Sequence, residues 1–110
     1  MRLPDAERAV VPVAKLRDYS LNPAHPEGKH KARVFRSALG LTTADAELLR
    51  RMILDAILSY EAVEQPPNAF GRRFVVDFNV PGVRGQVTIR STWLIRNDED
   101  FPRLTSCFIP

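Results

Sequence analysis

Apolar positions recur every three to four residues from Lys29 to Tyr60 and every second residue from Phe70 onward, so the chain divides into a helical front and a stranded back. In KHKARVFRSALG, residues Ala32, Phe35 and Leu39 share one helical stripe, and Gly40 suits a left-handed cap. LTTADAELLRRMILDAILSYEAVEQPP sets Leu49, Met52, Ile53, Ala56, Ile57 and Tyr60 on one broad apolar face. Thr42 or Thr43 can cap that helix, with Asp45 and Glu47 in the first turn, where acids are favoured. The spacing therefore predicts helices over 27–40 and 43–62, the second stopped by Gln65-Pro66-Pro67-Asn68 opening a loop. Ahead of them, 1–7 is expected to be a frayed end. AVVPVAKLRDY predicts a short strand, held to an edge by Pro12, and a turn of helix, and SLNPAHPEG is turn chemistry.

In RRFVVDFNV, residues Phe74, Val76, Phe78 and Val80 fall on one face and Arg73, Val75, Asp77 and Asn79 on the other. PGVRG supplies a hairpin connection. QVTIRSTWLIRN then buries Val87, Ile89, Trp93 and Ile95 and shows Thr88, Arg90, Thr92 and Arg96. Strict alternation in RLTSCFIP sends Leu104, Ser106 and Phe108 inward and leaves Arg103, Thr105 and Cys107 opposite. The expected architecture is α+β: two N-terminal helices packed on one face of a three- to four-stranded antiparallel meander over 70–109, as a single domain 1–110.

At 110 residues and 45% hydrophobic content the chain suffices for one modest core. Its AVVPVA run is too short to span a membrane and no signal-peptide pattern precedes it, so the expectation is a soluble, cytoplasmic protein, or one exported by a specialised system. A single cysteine, Cys107, excludes an internal disulfide and a cysteine-rich zinc site. Formal charge is +3, and arginine supplies 13 of the 16 cations, a bias that suits bidentate contact with phosphate.

Charge placement narrows the chemistry. Lys29, Lys31, Arg33 and Arg36 put +4 at a helix start with no acid and with His30 between them. Cations there oppose the helix dipole, at about 0.3 to 1 kcal/mol each. A bound anion would reverse that balance, since backbone N–H groups, dipole and side chains would then act together. A solvent-facing turn that tolerates the penalty accounts for them equally. Strand parity also collects Arg73, Arg90, Arg96 and Arg103 on the face bearing Thr88, Thr92 and Thr105, either as a basic surface or as a solvated one paired with Asp77. His25 and His30 have no partners at metal-ligand spacing, and no phosphate loop, dinucleotide fingerprint or nucleophile elbow occurs, so no metal and no cofactor are expected.

The segment KLRDYSLNPAHPEGKHKARVFRSALGLT, with Trp93-Leu94-Ile95-Arg96 and FPRLTSCFIP, resembles a small bacterial domain family of unknown function whose members carry K-L-x-x-Y-x-L-N-x-x-H-P-x-G-K-x-K-A-x-x-F. The order of a Lys/His-bearing helix and an antiparallel meander is similar to metal-independent ribonuclease toxins of the barnase, EndoU, colicin and RelE type. Their terminal strand reads L-T-x-(aromatic)-x-P, and the ending Leu104-Thr105-Ser106-Cys107-Phe108-Ile109-Pro110 has one extra residue before the aromatic. That resemblance implies RNA cleavage by 2′-hydroxyl transesterification. His30 would then transfer protons, with Lys31, Arg90 and Thr105 completing the catalytic set. Lys29, Arg33, Thr92, Arg96 and Arg103 would hold phosphate and RNA. RNA is the expected partner, with a cognate antitoxin or immunity protein beside it and no membrane. The same groove would equally serve a module that binds nucleic acid, or a toxin–antitoxin partner, without cutting.

Overall fold

Phe35, Ile53, Ile57, Phe74, Phe78 and Trp93, none more than 1% exposed, meet in one apolar cluster, and the layout follows from burying them together. The computed structural model describes residues 1–110. α1 (Val13–Lys15) runs into a π-type turn over Leu16–Ser20, and α2 (Lys29–Leu39) and α3 (Ala46–Ala56) follow. Four strands complete the chain: β1 (Ala62–Asn68), β2 (Gly71–Gly82), β3 (Gly85–Arg96) and β4 (Arg103–Phe108). They form one antiparallel sheet in the order β1-β2-β3-β4. The fold is α+β, with the helices ahead of the strands.

Local chemistry sets the element ends. Gly40 closes α2 at φ 69°, a conformation that costs a residue without Cβ little, and its N–H reaches the Arg36 carbonyl. Asp45 accepts from the Thr42 N–H at 2.9 Å ahead of α3. α3 stops at Ala56, short of 62, and the chain turns so that Ala62–Gln65 can pair with Arg73–Val76. Pro66 and Pro67, expected in a loop, lie instead in β1, where an edge strand tolerates residues that cannot donate.

The first seven residues are not a frayed end. Leu3 and Ala6 are buried in the core, the Met1 carbonyl accepts from Ala62 N–H, and the Met1 ammonium pairs with Glu61. The early edge segment reaches the sheet through a parallel bridge between Val10 and Arg103, with Leu104 N–H donating to the Val10 carbonyl at 3.0 Å.

One parity expectation fails in β4. Thr92 pairs with Ser106 but its neighbour Trp93 pairs with Leu104, so Thr105 is an extra residue, a β-bulge. Beyond it the faces exchange: Cys107 is buried at 1% exposure, whereas Ser106 and Phe108, expected inward, are only partly covered. Burial lifts the Cys107 thiol to about 12, the behaviour of a packed cysteine.

Ser91 also faces inward on β3, fully buried. Its Oγ accepts from Trp93 Nε1–H at 2.9 Å and donates to the Val76 carbonyl at 2.8 Å. Because an unmet buried donor keeps its desolvation cost, Ser91→Ala should destabilise the fold by about 1–3 kcal/mol. Urea unfolding of the two proteins measures this; equal midpoints would show that Trp93 finds another acceptor.

Candidate functional site

The turn from Asn22 to Gly28 is held by its own side chains. Asn22 Oδ1 accepts from Ala24 N–H at 2.9 Å, and Asn22 Nδ2 donates to the Asp18 carbonyl at 3.2 Å. His25 Nδ1 accepts from the backbone N–H groups of Glu27 and Gly28, both at 3.1 Å. Those bonds meet two donors just ahead of α2 and fix the ring as the neutral tautomer, with its proton on Nε2. Gly28 is required by a close approach: a Cβ there would lie 2.5 Å from the Tyr19 carbonyl oxygen.

The turn packs beside the β4 edge. The rings of Tyr19 and His25 meet edge-on at 4.5 Å between centroids. Lys31 Nζ sits between two aromatic faces, 4.7 Å from the Phe108 centroid and 5.7 Å from that of Tyr19. Lys15 Nζ donates to the Thr105 carbonyl at 3.4 Å, the oxygen of the bulge residue. Together Lys15, Asp18, Tyr19, His25 and Thr105 line an open hollow of about 630 Å³. Asp18 is the carboxylate of this set. The hydrogen bond from Arg17, aided by its charge, holds it below the ordinary carboxylate range.

On the sheet's outer face, Thr92 Oγ1 lies 2.6 Å from both Thr105 Oγ1 and Ser106 Oγ. This hydroxyl cluster forms because the bulge sets two β4 residues against one on β3. A second hollow of about 350 Å³ opens beside it, and Thr105 lines both.

Of the residues expected at the site, the structure brings Lys31, Thr92 and Thr105 to this region. Exposed His30 and Arg33 and half-buried Lys29 form no hydrogen bond or ion pair through their side chains. Lys31 lies one turn ahead of buried Phe35, and His30 is rotated about 100° from it. The arginines of the sheet face are largely taken. Arg90 grips Asp77 through two bonds of 2.9 Å, and Arg103 grips Glu99 at 2.8 and 2.7 Å. Arg96 stands 4.0 Å from the same Glu99. Arg73 makes no ion pair, and its Nη1 donates to the Pro66 carbonyl at 3.3 Å.

Sequence reasoning missed Lys15, Tyr19, His25 and Ser106. The first three lie in the K-L-x-x-Y-x-L-N-x-x-H-P run, where prolines and glycine signal a turn, and nothing in the composition singles out the His25 ring as a backbone acceptor. Ser106 needed the bulge.

The chain belongs to the family described as Domain of unknown function (DUF6883), whose model matches residues 2–110. No curated protein and no solved structure matches it. No helix is long and apolar enough to cross a membrane.

Two outcomes follow from this geometry. Gly28→Ala should cost about 1–3 kcal/mol, because the new methyl meets rigid backbone, and should broaden the His25 ring signals in NMR spectra. Wild-type stability with an unperturbed His25 environment would show that the turn yields. Arg103, first through its hydrogen bond, holds the Glu99 carboxyl below the ordinary range. A lowered folded-state value stabilises the fold above the ordinary glutamate range, and that contribution is lost as pH falls through the lowered value. Glu99→Gln should therefore lower Tm at neutral pH, with the gap to wild type closing in acid. A gap independent of pH would assign the loss to packing.

Proposed function

We propose that this domain holds an RNA phosphodiester in the hollow at the β4 edge and cleaves it, toxin-like, by transesterification without a metal. The observation that carries the reading is that Lys15 and His25, its Nδ1 engaged by the backbone, line one open hollow, with the Lys31 ammonium over the ring of Tyr19 in its wall. None of the three has a carboxylate partner, whereas Arg90 and Arg103 of the nearby sheet do. The similarity to barnase, EndoU, colicin and RelE-type ribonucleases, helices followed by an antiparallel meander, supports the same reaction class.

In this reading the 2′-oxygen bonds to phosphorus as the bond from phosphorus to the 5′-oxygen breaks. Asp18, the carboxylate lining the hollow, takes the 2′-hydroxyl proton, and the Lys15 ammonium protonates the departing 5′-oxygen. Lys31 and His25 Nε2–H offset the charge gathering on the phosphorane oxygens. His25 is a donor here rather than a base, because its Nδ1 lone pair is engaged by the backbone. His30, the expected proton carrier, has no role. A cognate antitoxin or immunity protein would then be the partner that masks the hollow.

A second reading is favoured by one observation. Asp18 is tied to Arg17 and His25 Nδ1 is occupied, so the hollow lacks a strong base and would suit binding without cleavage.

Incubation with total or transfer RNA in the presence of a chelator separates the two. Cleavage should occur, fall by about 100-fold in Lys15→Ala and His25→Ala, and stay at the wild-type level in His30→Ala. Intact RNA retained on a gel in a salt-dependent way would establish the binding module instead.

A further inference from the structure

We infer, resting on the proposed RNA site, that the second hollow is a nucleobase subsite that selects bases with a keto oxygen beside a ring N–H, guanine and uracil, over adenine and cytosine. Thr105 lines both hollows, so a ligand whose phosphate lies by Lys15 meets this second wall within one residue of β4. A nucleotide has that two-part form, a charged group joined to a flat polar ring.

The floor suits such a ring. Val75, Thr92 and Leu94 are adjacent outward positions of β2 and β3, each partly exposed, since Val75 pairs with Thr92 and Arg73 with Leu94. They form a shallow apolar surface with a hydroxyl at its edge. At about 350 Å³ the hollow has room for one base.

The rim sets the preference. Asn68 Oδ1 already accepts from the N–H groups of Phe70 at 2.8 Å and Gly71 at 3.2 Å, which leaves Nδ2 as the group for a ligand. Arg73 commits Nη1 to the Pro66 carbonyl and retains further N–H donors. Both free rim groups are therefore donors. Gln65 leans its Nε2 on the Val63 carbonyl at 3.4 Å, so its own oxygen stays open as an acceptor. Two donors beside one acceptor match a keto oxygen next to a ring N–H, the edge shared by guanine and uracil. Adenine and cytosine present an exocyclic amine where those donors stand, leaving them unpaired.

The test titrates the full chain with inorganic phosphate and with the 3′-monophosphates of guanosine, uridine, adenosine and cytidine, by calorimetry. Binding of phosphate is expected, with guanosine and uridine nucleotides at least about tenfold tighter than phosphate and than the other two. Arg73→Ala removes an exposed side chain, and Asn68→Asp keeps Oδ1 in the turn while deleting the Nδ2 donor. Each should return the keto nucleotides to the affinity of phosphate, with phosphate binding unchanged. If all four nucleotides bind as phosphate does, the subsite is overturned and the phosphate hollow stands. Equal tightening by all four overturns the keto preference. Base-dependent binding without phosphate binding would keep the subsite and remove the phosphate role of the first hollow. No binding of any probe overturns both.

Discussion

The two-against-one pairing at Thr105 is the constraint on which the rest of the site depends. Period two is rigid: without the extra residue, Cys107 would face outward and Phe108 would turn into the core. With it, Phe108 comes under the Lys31 ammonium, the Thr105 carbonyl is presented to Lys15, and three hydroxyls gather at Thr92. One local irregularity thus joins the helical half of the molecule to the outer sheet face. A bulge also strengthens local twist, which fits the opening of hollows on both sides of this residue.

Ion pairing divides the cations of the chain. Arg8, Arg17, Arg50, Arg72, Arg90, Arg96 and Arg103 all stand within ion-pair distance of carboxylates, several through two-pronged bonds. Such exposed pairs contribute roughly 0–1 kcal/mol each. Their larger consequence is subtractive, because they remove arginine charge from what a ligand meets. Lys15, Lys29 and Lys31, the lysines of the chain, enter no ion pair. Seven arginine forks are thus engaged by carboxylates, whereas Arg33 and Arg73 and all three lysines pair with none.

The sequence made the architecture legible where periodicity ran long. The stripe through Leu49, Ile53 and Ile57 and the alternation through Phe74, Val76 and Phe78 require burial on one side, and each is buried. Periodicity failed where a single residue changed its phase or where two structures compete for the same pattern. Thr105 carries no glycine or proline to announce a bulge, and Ile57 to Tyr60 continue a helical stripe although the backbone has left the helix. Pro66-Pro67 marked a loop by composition, and only the open sheet edge makes a strand of them. The site was half legible for the same reason. A run of cations drew attention to the start of α2, but helix phase decides that Lys31 rather than His30 meets β4, and no count of charges contains that phase.

His25 shows why the chemistry of the hollow differs from what its residue types suggest. A histidine near a phosphate site is ordinarily read as the group that carries protons, because its charge changes near neutrality. Here the ring is enlisted by the backbone: two N–H groups at the entry to α2 need an acceptor, and Nδ1 supplies it. The remaining Nε2–H is then a neutral donor of fixed direction, able to stabilise developing charge without exchanging a proton. In the proposed reaction, catalysis would rest mainly on preorganised donors and cations around the phosphate, with proton transfer left to Asp18 and Lys15, so the protein would contribute by where it holds charge rather than by a tuned acid and base.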